Sequence, residues 1–223
     1  MIHPQFRNAA LRLGSAWLNA VRRSDVAIVY AGIVTIVAVV LSLVPDRVHD
    51  SLVLSSSTNL ENLREHPLLV LAVSAFVVAS WASLWQIPFL MLAYATAQRW
   101  VGRVATIFVA GLGHVGATLF VSVLISSGIT HGQLARSVAR TSDVGVSYGL
   151  ACVAAFIASQ VPHRWRLLYL AVVLTYFVGP LLLSPNFTYV GHVTALALGF
   201  GLALLAARAA AVEHDRLDHG VER

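Results

Sequence analysis

Apolar residues in this chain run in blocks of roughly 17 to 27, the length at which a helix crosses the hydrocarbon core of a bilayer. Lipid satisfies no backbone N–H or C=O group, so a spanning segment is either a helix or part of a closed barrel. The blocks lack the two-residue alternation of barrel strands, which leaves helices. Only 11% of the residues are charged, well below the quarter or so that covers a soluble domain. The predicted fold class is therefore all-α membrane, a bundle of six transmembrane helices.

The spans are read as follows. The first covers 26–44, and a polar loop over 45–66 follows it. The next apolar stretch, 68–97, is long for one crossing and contains Pro88, so part of 68–77 is expected to form a short re-entrant or interfacial element. A tight turn between Arg99 and Arg103 leads to the third span at 104–126, and a second polar loop covers 127–142. The fourth span starts at Asp143, read as its N-cap with an Arg140 ion pair as the alternative, and ends near Val161. The fifth covers 167–183 and the sixth 189–211.

Every basic residue is Arg, and the arginines sit at the ends of the apolar blocks. With six spans, eleven fall on one side (7, 12, 22, 23, 99, 103, 164, 166, 208, 216 and 223) and four on the other (47, 64, 136 and 140). That is a positive-inside bias, so both termini are expected in the cytoplasm and the protein in the plasma membrane. Orientation accounts for the basic balance, and no nucleic-acid partner is expected. Residues 1–25 are read as a cytoplasmic segment in which Phe6, Ala10, Leu13, Trp17 and Val21 share one helical face, a short surface helix or a frayed tail. Residues 26–211 form the membrane domain and 212–223 a cytoplasmic tail. The first block ends Ser42-Leu43-Val44-Pro45-Asp46, without a small-x-small cleavage pattern, so it reads as a retained span rather than a signal peptide. Cys152 lies inside an apolar block, reads as a small packing residue and has no partner for an intrachain disulfide.

Polar side chains inside spans are costly and mark candidate sites. Gln86, His114, Ser147 and His192 are the strong ones. Ser147 and His192 each lie about 6 Å inside the same membrane face, whereas His114 lies about 16 Å from the opposite face, near the middle. A serine and a histidine level with each other on adjoining helices suit a nucleophile–base dyad, because a hydroxyl needs an imidazole to take its proton. Gly145, Gly149, Gly191, Ala195 and Gly199 have the small-xxx-small spacing that lets helices approach closely. Taken singly, Ser147 reads as a packing residue bonded to its own helix, His192 as a helix-contact residue, and His114 as an interhelical hydrogen-bond donor. A metal site from His114, His131 and His192 is excluded by their different depths and the lack of a carboxylate. No cofactor is expected.

At these residues the chain resembles the rhomboid family of intramembrane serine proteases. Gly145-Val146-Ser147-Tyr148 stands where that family has Gly-x-Ser-Gly, and Gly191-His192, with Ala195 and Gly199 beyond, stands where it has its base. The turn Gln98-Arg99-Trp100-Val101-Gly102-Arg103 also fits, and the likeness covers 26–211. Gly113-His114-Val115-Gly116-Ala117-Thr118 and Asp143 to Gly149 look closer still to the rhomboid-like membrane proteins of actinobacteria. The resemblance implies a dyad of Ser147 and His192, acting on transmembrane segments of other membrane proteins and requiring nothing beyond the lipid bilayer. Gln86 and the backbone amides from Gly145 onward would stabilise the oxyanion, with His114 secondary, and water would enter near the 127–142 loop.

Two departures from the protease pattern stand out. Tyr148 replaces a glycine and is expected either to hold two helices apart or to fill the substrate's place. The second-span histidine is missing, since its place falls near Ala82 and only Gln86 follows. The alternative is therefore a noncatalytic rhomboid pseudoprotease that binds transmembrane helices. A transporter fits less well, because the spans carry no buried acidic residue and no paired halves.

Overall fold

A computed structural model describes residues 23–78 and 81–220, so the face expected from Phe6 to Val21 within the 1–25 segment lies outside the described residues. All regular structure among the described residues is helical. In chain order the α-helices are α1 (Asp25–Ser42), α2 (Asp46–Ser55), α3 (Leu60–Glu65), α4 (Pro67–Ser74), α5 (Ile87–Thr130), α6 (Val146–Phe156), α7 (His163–Phe177), α8 (Gly179–Leu183) and α9 (Phe187–Gly220). Short 3₁₀ turns occupy Trp81–Gln86, Arg136–Arg140 and Ile157–Gln160.

Among the described residues, three helical stretches are long and apolar enough to cross a membrane: Asp25–Ser42, Ser83–Thr130 and Phe187–Val212. A straight rod of the length of α5 would reach about 66 Å, twice the thickness of a hydrocarbon core. It breaks at Gly102, whose φ of 83° and ψ of 176° lie outside the helical region and suit a residue without a Cβ. The apolar stretch before Gly102 divides as well, into α4, a 3₁₀ turn and the start of α5. Pro88 falls in the first turn of α5, where its missing N–H breaks no helical bond.

Two expectations for the loops need correction. The 45–66 loop is largely helical: it holds α2 and α3, and the Asn59 side chain caps α3 by accepting from the Asn62 N–H at 2.9 Å. Asp143 is not a helix cap, because α6 begins three residues later with Gly145 at the N-cap position and no side-chain cap bond. Arg140 pairs with Glu61 at 2.8 Å instead of Asp143, which ties the 127–142 loop to α3.

The core forms around α6, which packs between α5 and α9 and is buried on every face from Tyr148 to Phe156. Its small residues allow this, since Gly149, Ala151, Cys152, Ala154 and Ala155 keep its radius short. The neighbouring glycines answer it. A Cβ at Gly113 of α5 would strike the Cys152 side chain, and one at Gly199 of α9 would come within 2.8 Å of the Ala155 Cβ. Cys152 is free and fully buried.

Candidate active site

Ser147 sits in the first turn of α6, while His192 sits in the second turn of α9, which starts where the Asn186 Oδ1 accepts from the Tyr189 N–H at 3.0 Å. Packing of α9 on α6 brings Ser147 Oγ to 2.9 Å from His192 Nε2, within hydrogen-bond range. His192 is 9% exposed. Its ring lies among three aromatic neighbours, with centroid distances of 5.4 Å to Tyr148, 5.3 Å to Phe177 and 5.9 Å to Tyr189. His192 Nδ1 is buried and has no partner among the described residues, so no carboxylate fixes its tautomer.

Tyr148 neither holds the helices apart nor lines the cavity beside the pair, where a substrate's place would be. Its ring is fully buried and lies against the backbone of Gly191, where a Cβ would overlap the phenol. Its hydroxyl donates to Asp143 Oδ2 at 2.7 Å, and the Thr188 hydroxyl donates to Asp143 Oδ1 at 3.3 Å. Asp143 thus joins the start of α6 to the start of α9 beside the dyad. Burial pushes its carboxyl up to about 6, with the two hydroxyl bonds opposing that rise.

The remaining candidates divide between two places. Gln86 joins Ser147 and His192 around a cavity of about 370 Å³, together with Trp85, Tyr176 and Tyr189. Gln86 Oε1 is buried there without a partner among the described residues. No residue of the 127–142 loop lines this cavity, so the expected water route does not match it. His114 is elsewhere, on α5 behind α6, with Nε2 2.9 Å from the Leu71 carbonyl and 3.2 Å from Ser74 Oγ. Gly145 packs on that imidazole, and its N–H donates to the Ser74 carbonyl at 3.0 Å, so neither residue faces the dyad. Gly149 packs on Ala110 and Tyr94 of α5. The glycines thus serve two contacts, with Gly145 and Gly149 on α5 and on the segment before it, and Gly191 and Gly199 joining α9 to α6. Ala195 is fully buried in α9. His131 bonds the Ser127 carbonyl at 2.8 Å at the far end of α5.

A family model described as rhomboid-like protein matches residues 19–212, nearly the whole chain. The chain belongs to the rhomboid-like family. No curated protein and no solved structure gives a significant match to it. In this rhomboid-like protein, sequence reasoning had missed Asp143, Thr188, Phe177 and Tyr189 as parts of the site. The spacing of Tyr189 before His192, one helical turn, offered a signal for one of them. Asp143 was visible, but a carboxylate just before a helix reads first as a cap. The arrangement holds a hydroxyl on an imidazole beside a neutral cavity. Helix starts leave their first amides without intrahelical partners, and Val146 and Ser147 lie in such a first turn.

Proposed function

We propose that this rhomboid-like protein is an intramembrane serine endopeptidase that cuts transmembrane segments of other membrane proteins near their outer ends. The reading rests on the 2.9 Å contact between Ser147 Oγ and His192 Nε2 beside a cavity. Six spans cross the plasma membrane: α1, the two arms of α5, α6 with its 3₁₀ extension, α7 with α8, and α9. Both termini are cytoplasmic, a topology supported by the arginine distribution.

In the first step His192 Nε2 takes the proton of the Ser147 hydroxyl while Oγ bonds to the scissile carbonyl carbon. The oxyanion that forms is stabilised by the Gln86 amide and by the first-turn amides of α6. Collapse breaks the C–N bond, and His192 gives its proton to the departing amine. A water then repeats the sequence on the acyl ester, giving its proton to His192, and a carboxylic acid leaves with Ser147 restored. With no partner on Nδ1 among the described residues, no carboxylate steadies the imidazolium, and slow turnover follows. Coexpression with a tagged single-span reporter tests the reading. Cleavage is expected with the native chain and absent with Ser147→Ala, and equal cleavage by both would refute it.

One observation favours a second reading, a pseudoprotease that holds transmembrane helices without cutting them: the undirected His192, in a chain without a second-span histidine. In that case Ser147→Ala leaves the cellular phenotype intact, while bulky residues at Gly145 or Ala195 damage it. The likeness of 113–118 and 143–149 to actinobacterial rhomboid-like proteins fits either role.

A further inference from the structure

On the side of the bundle away from the dyad, α1 and the second arm of α5 do not close on each other. They leave an apolar groove of about 450 Å³, with Val29, Ile33, Ile107 and Gly111 on its walls and Tyr30 and His114 toward its base. Three of these are open to the bilayer, with Val29 60%, Ile33 39% and Ile107 58% exposed. Gly111 faces the open space of the groove, because a Cβ built there meets nothing within 4 Å. Along α1 the groove runs from Asp25 to Ile33, about 12 Å at helical rise, and along α5 it reaches His114. It therefore extends from one membrane edge to about the middle, the depth of one leaflet's acyl chains.

The edge where it begins is strongly basic. Arg23, Arg99 and Arg103 surround a second cleft at the Gly102 turn. Asp25 belongs to the apolar groove and bonds across to this cleft, to Arg103 at 2.8 Å and to Gln98 Nε2 at 2.5 Å, so the two hollows meet there. Among the described residues there, one aspartate faces three arginines, an excess of two positive charges. The Asp25 pairing and the Arg99–Ser24 contact at 3.4 Å hold two of the guanidiniums in place around the turn. Lipid tails are as apolar as the groove walls, so the hollow by itself does not select an occupant. Charge placed one chain-length from its inner end does.

We infer that this groove retains one anionic phospholipid, its phosphate on the Arg23, Arg99 and Arg103 cluster and an acyl chain between α1 and α5 against Gly111. The inference stands independently of the dyad's chemistry. A phosphate oxygen accepts bidentate bonds from arginine, and each basic side chain near an anionic headgroup strengthens binding by about fivefold.

The test uses the full chain, delipidated in a neutral detergent and titrated with phosphatidylglycerol or phosphatidylcholine of matched chains, with bound lipid counted by native mass spectrometry. One phosphatidylglycerol is expected to bind at least tenfold tighter than phosphatidylcholine. Arg23→Gln and Arg99→Gln, which leave the Arg103–Asp25 pair intact, should each remove about fivefold of that preference. Gly111→Leu, whose side chain enters open space, should weaken phosphatidylglycerol binding while the melting temperature stays near native. Equal affinity for the two lipids would overturn the inference, as would a Gly111→Leu protein that binds phosphatidylglycerol like the native chain. Displacement of the lipid by equimolar glycerol phosphate would also overturn it, since the site would then hold a phosphate without need of a chain.

Discussion

Gly191→Ala adds one methyl group at the contact on which the dyad depends. The new Cβ falls on the Cζ, Oη and Cε1 atoms of Tyr148, and that ring has nowhere to go. It is fully buried, its hydroxyl is fixed to Asp143 at 2.7 Å, and it stands edge-on to His192. Overpacking in a tight core costs about 1–3 kcal/mol, and a ring held on three sides puts this case at about 3. If α9 yields instead of the ring, a shift of about 1 Å carries His192 Nε2 out of reach of Ser147, and misplacement of that size costs about 10²-fold in rate. The assay is a double-mutant cycle of native chain, Gly191→Ala, Tyr148→Leu and the double variant, each melted in detergent and timed for fluorophosphonate labelling. Leu lacks the three atoms that the methyl strikes, so the double variant should recover part of both losses, with a coupling of about 1–3 kcal/mol. Strictly additive melting shifts, or native labelling by Gly191→Ala, would refute the reasoning.

Three further outcomes are expected. The Asp143 carboxyl titrates near 6 in the fold against an ordinary 3.8, so its contribution to stability is full below 3.8 and is lost as pH rises through about 6. Melting between pH 5 and 7.5 should show a loss of about 1.4 kcal/mol that Asp143→Asn lacks, and identical pH profiles would contradict the burial argument. His114→Ala leaves the Leu71 carbonyl without its donor and opens a void, so stability should fall by about 2–3 kcal/mol while the folded fraction keeps its labelling rate. Gln86→Ala should slow reporter cleavage by about 10²-fold without moving the melting temperature, and unchanged cleavage would remove Gln86 from the oxyanion site.

The parts of the fold that sequence revealed are those governed by one-dimensional constraints. Apolar block length located the three helical stretches that are long enough to cross a membrane, and counting residues along the later apolar blocks put Ser147 and His192 at one level, where they meet. The loops escaped because their helices depend on local capping, as at Asn59, and on contacts between distant segments, as in the Arg140–Glu61 pair. Tyr148 was misjudged for a related reason. Sequence showed a bulky ring beside the nucleophile but not the glycine opposite, which makes room for it. Likewise His114 and Gly145 look like site residues in sequence, yet they meet each other on the far side of α6. Depth along a helix is readable from counting, whereas the face presented to a neighbour depends on how the bundle closes.

The sharpest test of an activated serine is to react purified protein with a fluorophosphonate and locate the adduct by peptide mapping. A single adduct on Ser147 in the native chain, absent from His192→Ala at equal folded amount, is the expected result. An unmodified Ser147, or equal modification with and without the histidine, would leave the 2.9 Å contact a packing interaction.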